Sequence, residues 1–285
     1  MVSIKKTLFL SVAVCLAICF SAAVVACDFN KVEQSDESEG IYMDPDVFFD
    51  DVFQDSFLNK NGNDDVFSLN NTPVRENSPI KGKTFYFLGS SVTYGASSKG
   101  ISMADYISKR NDCVCVKEAV SGTTLANRSG NSYVARLKNF DTTKSIDGFI
   151  CQLSTNDKNF SDRGFVTQGY DIDTFDTYYT YDAMQYIIAY VKQNWNCPIY
   201  FYTGSYFQDD NYDEMVAVCL ELAKKWDIKV INLYDNKPFN DVTKKEYKLF
   251  MADPIHPTQA GYRFWWVPFM ERKILENIGY TFEKD

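Results

Sequence analysis

From Lys83 onward the chain alternates short apolar runs with longer amphipathic ones. The short runs are Lys83–Gly89, Cys113–Val120, Gly148–Leu153, Pro198–Thr203 and Ile228–Leu233. Their length and apolar character predict strands. Between them the pattern predicts helices near Ser102–Arg110, Ser132–Asn139, Thr174–Asn194 and Tyr212–Trp226, and a last helix runs from beyond Pro257 through Ile278. Strands alternating with helices imply an α/β fold with a parallel sheet of about five strands. Right-handed crossovers then place helices on both of its faces. Ligands of such sheets bind at the carboxyl ends of the strands, so the residues after each strand carry the candidate chemistry.

The pattern before Lys83 is different. Lys5 and Lys6 precede an apolar run, Leu8 to Val25, which ends in Val24-Val25-Ala26-Cys27. This is the layout of a secretory signal peptide. The run is also nearly long enough for an uncleaved anchor. Cys27 straight after Val-Val-Ala resembles a bacterial lipobox, in which the thiol is lipidated. All three readings place the rest of the chain outside the cytoplasm, either anchored at the cell surface or secreted. The organisation expected is a lipoprotein-type signal peptide (1–26), an acidic leader (27–80) and a catalytic domain (81–285).

Charge sharpens that division. The chain has a formal charge of −9, yet residues 28–80 hold 13 acids and 3 bases while residues 81–285 hold 25 acids and 24 bases. Nearly all the acidity lies in the leader. Its part Gln34–Gly40 reads as a solvated tether. Phe48, Phe49, Phe53, Phe57 and Phe67 stand among acids further on and are candidates to dock on the domain. The acidic balance argues against nucleic acid as a partner, which requires clustered Lys and Arg. Five of the eight cysteines lie beyond Cys27, an odd number with no CxxC pair. They read as buried thiols, with room for one disulfide at most, and they offer no zinc ribbon. The single histidine, His256, excludes a His-rich metal site and must serve any chemistry that needs imidazole.

Four strand ends carry chemistry. The first strand is followed by Gly89-Ser90-Ser91-Val92-Thr93, the second by Ser121-Gly122-Thr123 and the third by Ser154-Thr155-Asn156-Asp157. Past the fifth comes Asp253-Pro254-Ile255-His256-Pro257. Each block alone reads as a turn, because Gly, Ser and Asn are common there. Together they supply a hydroxyl, a backbone donor, an amide and a carboxylate–imidazole pair on a stiff, Pro-bounded loop.

In that set and order the chain resembles the SGNH/GDSL hydrolases from about Lys83 to Trp266. Ser90 stands where that family usually has Asp, and Ser154 where Gly is common. The resemblance implies a three-layer α/β/α sandwich with a flavodoxin-like parallel sheet. It implies a serine esterase that forms an acyl-enzyme, with Ser91 as nucleophile, His256 as base and Asp253 orienting the imidazole. The backbone N–H groups of Ser91 and Gly122 and the amide of Asn156 would form the oxyanion hole. No metal or organic cofactor is implied. Asp157 is expected to cap the turn after Asn156.

The family's substrates range from lipids to acylated carbohydrates, and fold does not choose among them. Tyr170, Tyr178, Tyr179 and Tyr181, with Trp265 and Trp266, are candidate aromatic platforms for sugar rings, although the two tryptophans read rather as core. A small ester or an acylated extracellular glycan is the expected substrate. A non-catalytic surface glycan-binding lipoprotein and an O-acyltransferase stand as alternatives.

Overall fold

The computed structural model describes residues 53–280. The lipobox cysteine Cys27, the tether Gln34–Gly40 and the aromatics Phe48 and Phe49 lie outside the described residues. Five strands form one parallel sheet: β1 (Thr84–Gly89), β2 (Val114–Ala119), β3 (Gly148–Gln152), β4 (Ile199–Tyr202) and β5 (Lys229–Ile231). Their order is β2-β1-β3-β4-β5, the flavodoxin-like arrangement, with Phe85 of β1 opposite Cys115 on one side and Gly148 on the other.

Period-two alternation along the strands feeds two cores. Phe85, Phe87, Ile150, Tyr200 and Tyr202 point to one face, and Tyr86, Leu88, Phe149, Cys151 and Phe201 to the other. The first face is covered by α2 (Met103–Asn111) and by the C-terminal segment. The second is covered by α3 (Tyr133–Arg136), α4 (Thr180–Asn194) and α5 (Asp210–Trp226). Along α5, Met215, Cys219, Leu222 and Trp226 are buried at helical spacing while Lys224 sits on the opposite, wet side.

Three local features depart from the sequence pattern. The expected helix from Thr174 starts only at Thr180, because Asp171 and Asp176 use their carboxylates to hold turns, accepting from the N–H groups of Asp173 and Tyr178. The expected C-terminal helix is broken into α8 (Gln259–Gly261), a wider π turn (Tyr262–Trp266) and α9 (Val267–Asn277). Two short helices are additional, α6 (Lys237–Asn240) and α7 (Lys244–Phe250). A capping box starts α7: Thr243 Oγ1 accepts from the Glu246 N–H, and the Glu246 carboxylate accepts from the Thr243 N–H.

The described part of the leader packs on the first face. Phe53 and Phe57 make edge contacts with each other, and Phe53 meets Phe250 and Phe264 in the same way. Phe67 is fully buried between Phe57 and Phe264. Further along, Arg75 joins a buried cluster in which Glu271 of α9 pairs with Arg110 at 3.2 Å and accepts from Asn111 at 2.6 Å. Cys113, Cys115, Cys151, Cys197 and Cys219 are all free thiols. Burial raises Cys151, lifts Cys219 to about 12 and Cys197 to about 11, and a hydrogen bond with Cys113 together with burial raises Cys115.

Candidate active site

The site stands at the carboxyl edge of the sheet. Strand β1 ends at Gly89, and a sharp turn at Ser90 leads into the one-turn helix α1 (Ser91–Tyr94). Gly89 is required there by close approach, since a Cβ would fall 1.6 Å from Thr93 Oγ1 and 2.8 Å from Gln152 Oε1. Ser91 is therefore the first residue of a helix, where a backbone N–H has no intrahelical acceptor. Its hydroxyl lies 2.8 Å from His256 Nε2. His256 Nδ1 lies 2.8 Å from Asp253 Oδ2 and 3.0 Å from Oδ1.

Asp253 also shapes its own loop. Oδ1 accepts from the backbone N–H groups of Ile255 and His256 at 2.8 and 2.9 Å. Partial burial pushes the Asp253 carboxyl up, but those two N–H bonds and the imidazole outweigh it and hold the group below the usual aspartate value. An ionised carboxylate only accepts, so Nδ1 of neutral His256 carries the ring proton. Nε2 is then the acceptor facing the Ser91 hydroxyl. The loop is pinned at its base by the Met251–Pro257 bridge and by the Thr258 hydroxyl, which donates to Leu249 O at 2.7 Å.

Gly122 lies in an exposed turn, with open space where a side chain would begin. Asn156 donates one amide hydrogen to Thr123 O at 2.8 Å and has a second to give. Ser154 braces this arrangement, accepting from the Asn156 N–H at 3.1 Å and donating to the same Thr123 carbonyl at 3.4 Å. The structure thus brings Ser91, His256 and Asp253 into one hydrogen-bonded line and ties the Asn156 block to the Gly122 block. Among the described residues no group of three or more His, Cys, Asp or Glu side chains could hold a metal ion.

A family model of GDSL-like lipases and acylhydrolases matches residues 87–264. The chain belongs to this family. As a GDSL-like lipase/acylhydrolase it is a carboxylic ester hydrolase. No curated protein matches its sequence. Among solved structures it is similar to a Lactobacillus plantarum protein, at 16% identity and a TM-score of 0.57, over 71% of this chain and 100% of that one. It is also similar to a family two carbohydrate esterase from Clostridium thermocellum, solved with cellohexaose, at 16% identity and a TM-score of 0.51, over 73% and 66% of the two chains. An acetylxylan esterase from Geobacillus stearothermophilus aligns at 19% identity and a TM-score of 0.47, over 72% and 98%.

Several residues that organise this GDSL-like site escaped the sequence reading. Gln152, the buried last residue of β3, accepts through Oε1 from the N–H groups of Ser90 and Thr93 at 2.9 and 3.2 Å and from the Thr93 hydroxyl at 2.8 Å. Arg136 reaches from α3 to Gly89 O at 2.8 Å and Thr123 Oγ1 at 3.0 Å, joining the first two blocks. A Gln closing an otherwise apolar strand was the available signal for the first; Arg136 had none. Asp157 does not cap the turn after Asn156. It is fully buried and accepts from the N–H groups of Leu125 and Ala126 at 2.9 and 3.0 Å and from the Thr180 hydroxyl at 3.0 Å. It anchors the loop that follows Gly122.

Of the candidate aromatic platforms, Tyr181 is corrected to a buried residue, and Trp265 and Trp266 are core, as their reading had it. Tyr181 is buried and donates to Glu214 at 2.7 Å. Trp265 is stacked between Phe239 and Phe250, and Trp266 is wholly buried. Tyr170 is exposed, but it packs on Trp226 at the end of α5, which leads into the start of β5. That is the sheet edge opposite the Ser91 turn. Tyr178 is exposed beside the 120s loop, with the Arg128 guanidinium 4.4 Å from its ring centre and 3.8 Å from that of Phe160.

Proposed function

We propose that the protein is a serine esterase that works through Ser91, His256 and Asp253 and an acyl-enzyme. The observation that carries this reading is the continuous line from Ser91 Oγ to His256 Nε2 and from Nδ1 to Asp253, each step 2.8 Å. His256 takes the Ser91 proton as Oγ attacks the ester carbonyl, and returns it to the leaving alcohol. The Ser91 and Gly122 N–H groups and the free hydrogen of the Asn156 amide stabilise the developing oxyanion. Water then attacks the acyl-enzyme with His256 again as base. The fold likeness to a carbohydrate esterase and the exposed ring of Tyr178 support a small acyl group on an extracellular glycan as substrate. Lipidation at Cys27 would hold the enzyme at the outer face of a membrane. Loss of membrane association in Cys27→Ala tests that part.

The full-length chain in detergent micelles is to be assayed with p-nitrophenyl acetate, longer acyl esters and acetylated xylan. Turnover that falls with acyl length and disappears in Ser91→Ala is expected. Turnover that survives Ser91→Ala sinks the nucleophile assignment, and no turnover or fluorophosphonate labelling of Ser91 favours a binding protein. Transfer of the acetyl group to an added sugar in preference to water turns the reading to an acyltransferase.

A further inference from the structure

The leader reaches the catalytic loop itself. The turn Asn61–Asp64 is stiffened by bonds from the Asn63 N–H to Asn61 Oδ1 at 2.9 Å and from the Asn61 N–H to Asp64 Oδ2 at 3.1 Å. Gly62 is buried so tightly there that a Cβ would lie 2.2 Å from Leu249 O. Its carbonyl accepts from the Ala260 N–H at 2.9 Å. Asn63 then bridges two segments that are far apart in sequence. Its Nδ2 donates to Ser97 O at 2.8 Å, in the turn that follows α1 and the nucleophile. Its Oδ1 accepts from the Gln259 N–H at 3.0 Å, three residues beyond His256. The Lys99 ammonium donates to the Asn63 carbonyl at 2.7 Å and closes the clasp from the nucleophile side.

We propose that Asn63 is a positioning residue, which sets the reach of His256 to Ser91 by tying the segment after one to the segment after the other. The inference rests on the esterase reading above. The His256 loop is closed at its base by the Met251–Pro257 bridge and by the Thr258 N–H, which donates to Phe250 O at 2.8 Å, so what remains to be set is how that base sits against the Ser91 turn. On its C-terminal side, the Gln259 and Ala260 N–H groups stand at the start of a helix, need outside acceptors, and find them in this turn. Releasing them lets the imidazole drift from an alignment on which proton transfer depends steeply. Residues 61–64 precede the stretch matched by the family model, so this device belongs to the leader and not to the matched domain.

The test is steady-state turnover of p-nitrophenyl acetate by the full-length chain, expressed per active site titrated with a fluorophosphonate. Asn63→Ala is expected to lower kcat about tenfold, with KM changed less than about twofold. Asn63→Asp keeps the acceptor for Gln259 and loses the donor to Ser97, so it should recover part of the loss. A merely structural role would lower the titrated fraction and leave turnover per titrated site unchanged; that result overturns the inference. So does a loss that Asn63→Asp leaves wholly unrecovered. In both cases wild-type turnover abolished by Ser91→Ala leaves the esterase reading standing. Wild-type turnover that is absent, or that survives Ser91→Ala, overturns that reading and this inference together.

Discussion

At the scale of single residues, the decisive group is the carboxylate behind the imidazole. Asp253 is nearly half exposed, yet its own loop's N–H groups and His256 keep it ionised below the ordinary aspartate range. Its contribution to stability is present above that ordinary value and is lost as pH falls through the lowered folded value. Asn at this position would turn an N–H toward Nδ1 and move the ring proton to Nε2, where it faces Ser91 and cannot accept. Asp253→Asn should therefore retain the fold and lose about 10⁴-fold in kcat. Near wild-type turnover would remove Asp253 from the mechanism. Ser91, Asp253 and His256 were legible because their residue types are scarce or ordered along the chain; a single histidine leaves no choice. Gln152 and Arg136 were not, since their partners are backbone atoms brought close only by sheet pairing.

At the scale of elements, the loop after β2 hangs on one buried side chain. Asp157 holds the N–H groups of Leu125 and Ala126, and its removal leaves both buried and unpaired. Asp157→Ala should cost about 2–5 kcal/mol in urea unfolding. Burial raises its pKa, against the pull of the Ala126, Leu125 and Thr180 hydrogen bonds. Ionisation is thus disfavoured in the fold. As pH rises from the ordinary aspartate value through the raised folded one, the wild-type chain should lose stability relative to Asp157→Asn. A difference that is flat across this window would show that the carboxyl is already ionised when folded. The strands were readable from their apolar runs. The segment Lys244–Phe250 was not read as a helix because it is short and carries four charged residues in seven, although its Thr243–Glu246 capping box announces it. Asp157 was misread because a carboxylate beside a turn looks the same whether it caps that turn or reaches across to another.

At the scale of the whole molecule, the acidic leader and the sheet domain are less separate than their charge suggests. Phe67 is wholly buried among Phe57 and Phe264, and Phe67→Ala should lower stability by about 3–5 kcal/mol in urea unfolding. A loss under about 1 kcal/mol would mean that the leader merely rests on the surface. Composition could separate the two regions, because charge is a sum over residues. The aromatics among the acids made Phe53, Phe57 and Phe67 candidates to dock, and they do, but the face they meet is assembled from distant helices and could not be read along the chain. The five free thiols among the described residues carry a different consequence. In the fold, burial or a neighbouring thiol keeps four of them protonated well past neutral pH, so an alkylating reagent finds almost no thiolate. Opening of the chain removes the protection that burial gives Cys151 and Cys219. Cys151 and Cys219 therefore work as a recorder: the pace at which these two buried thiols are alkylated in native buffer follows how often the fold around them opens.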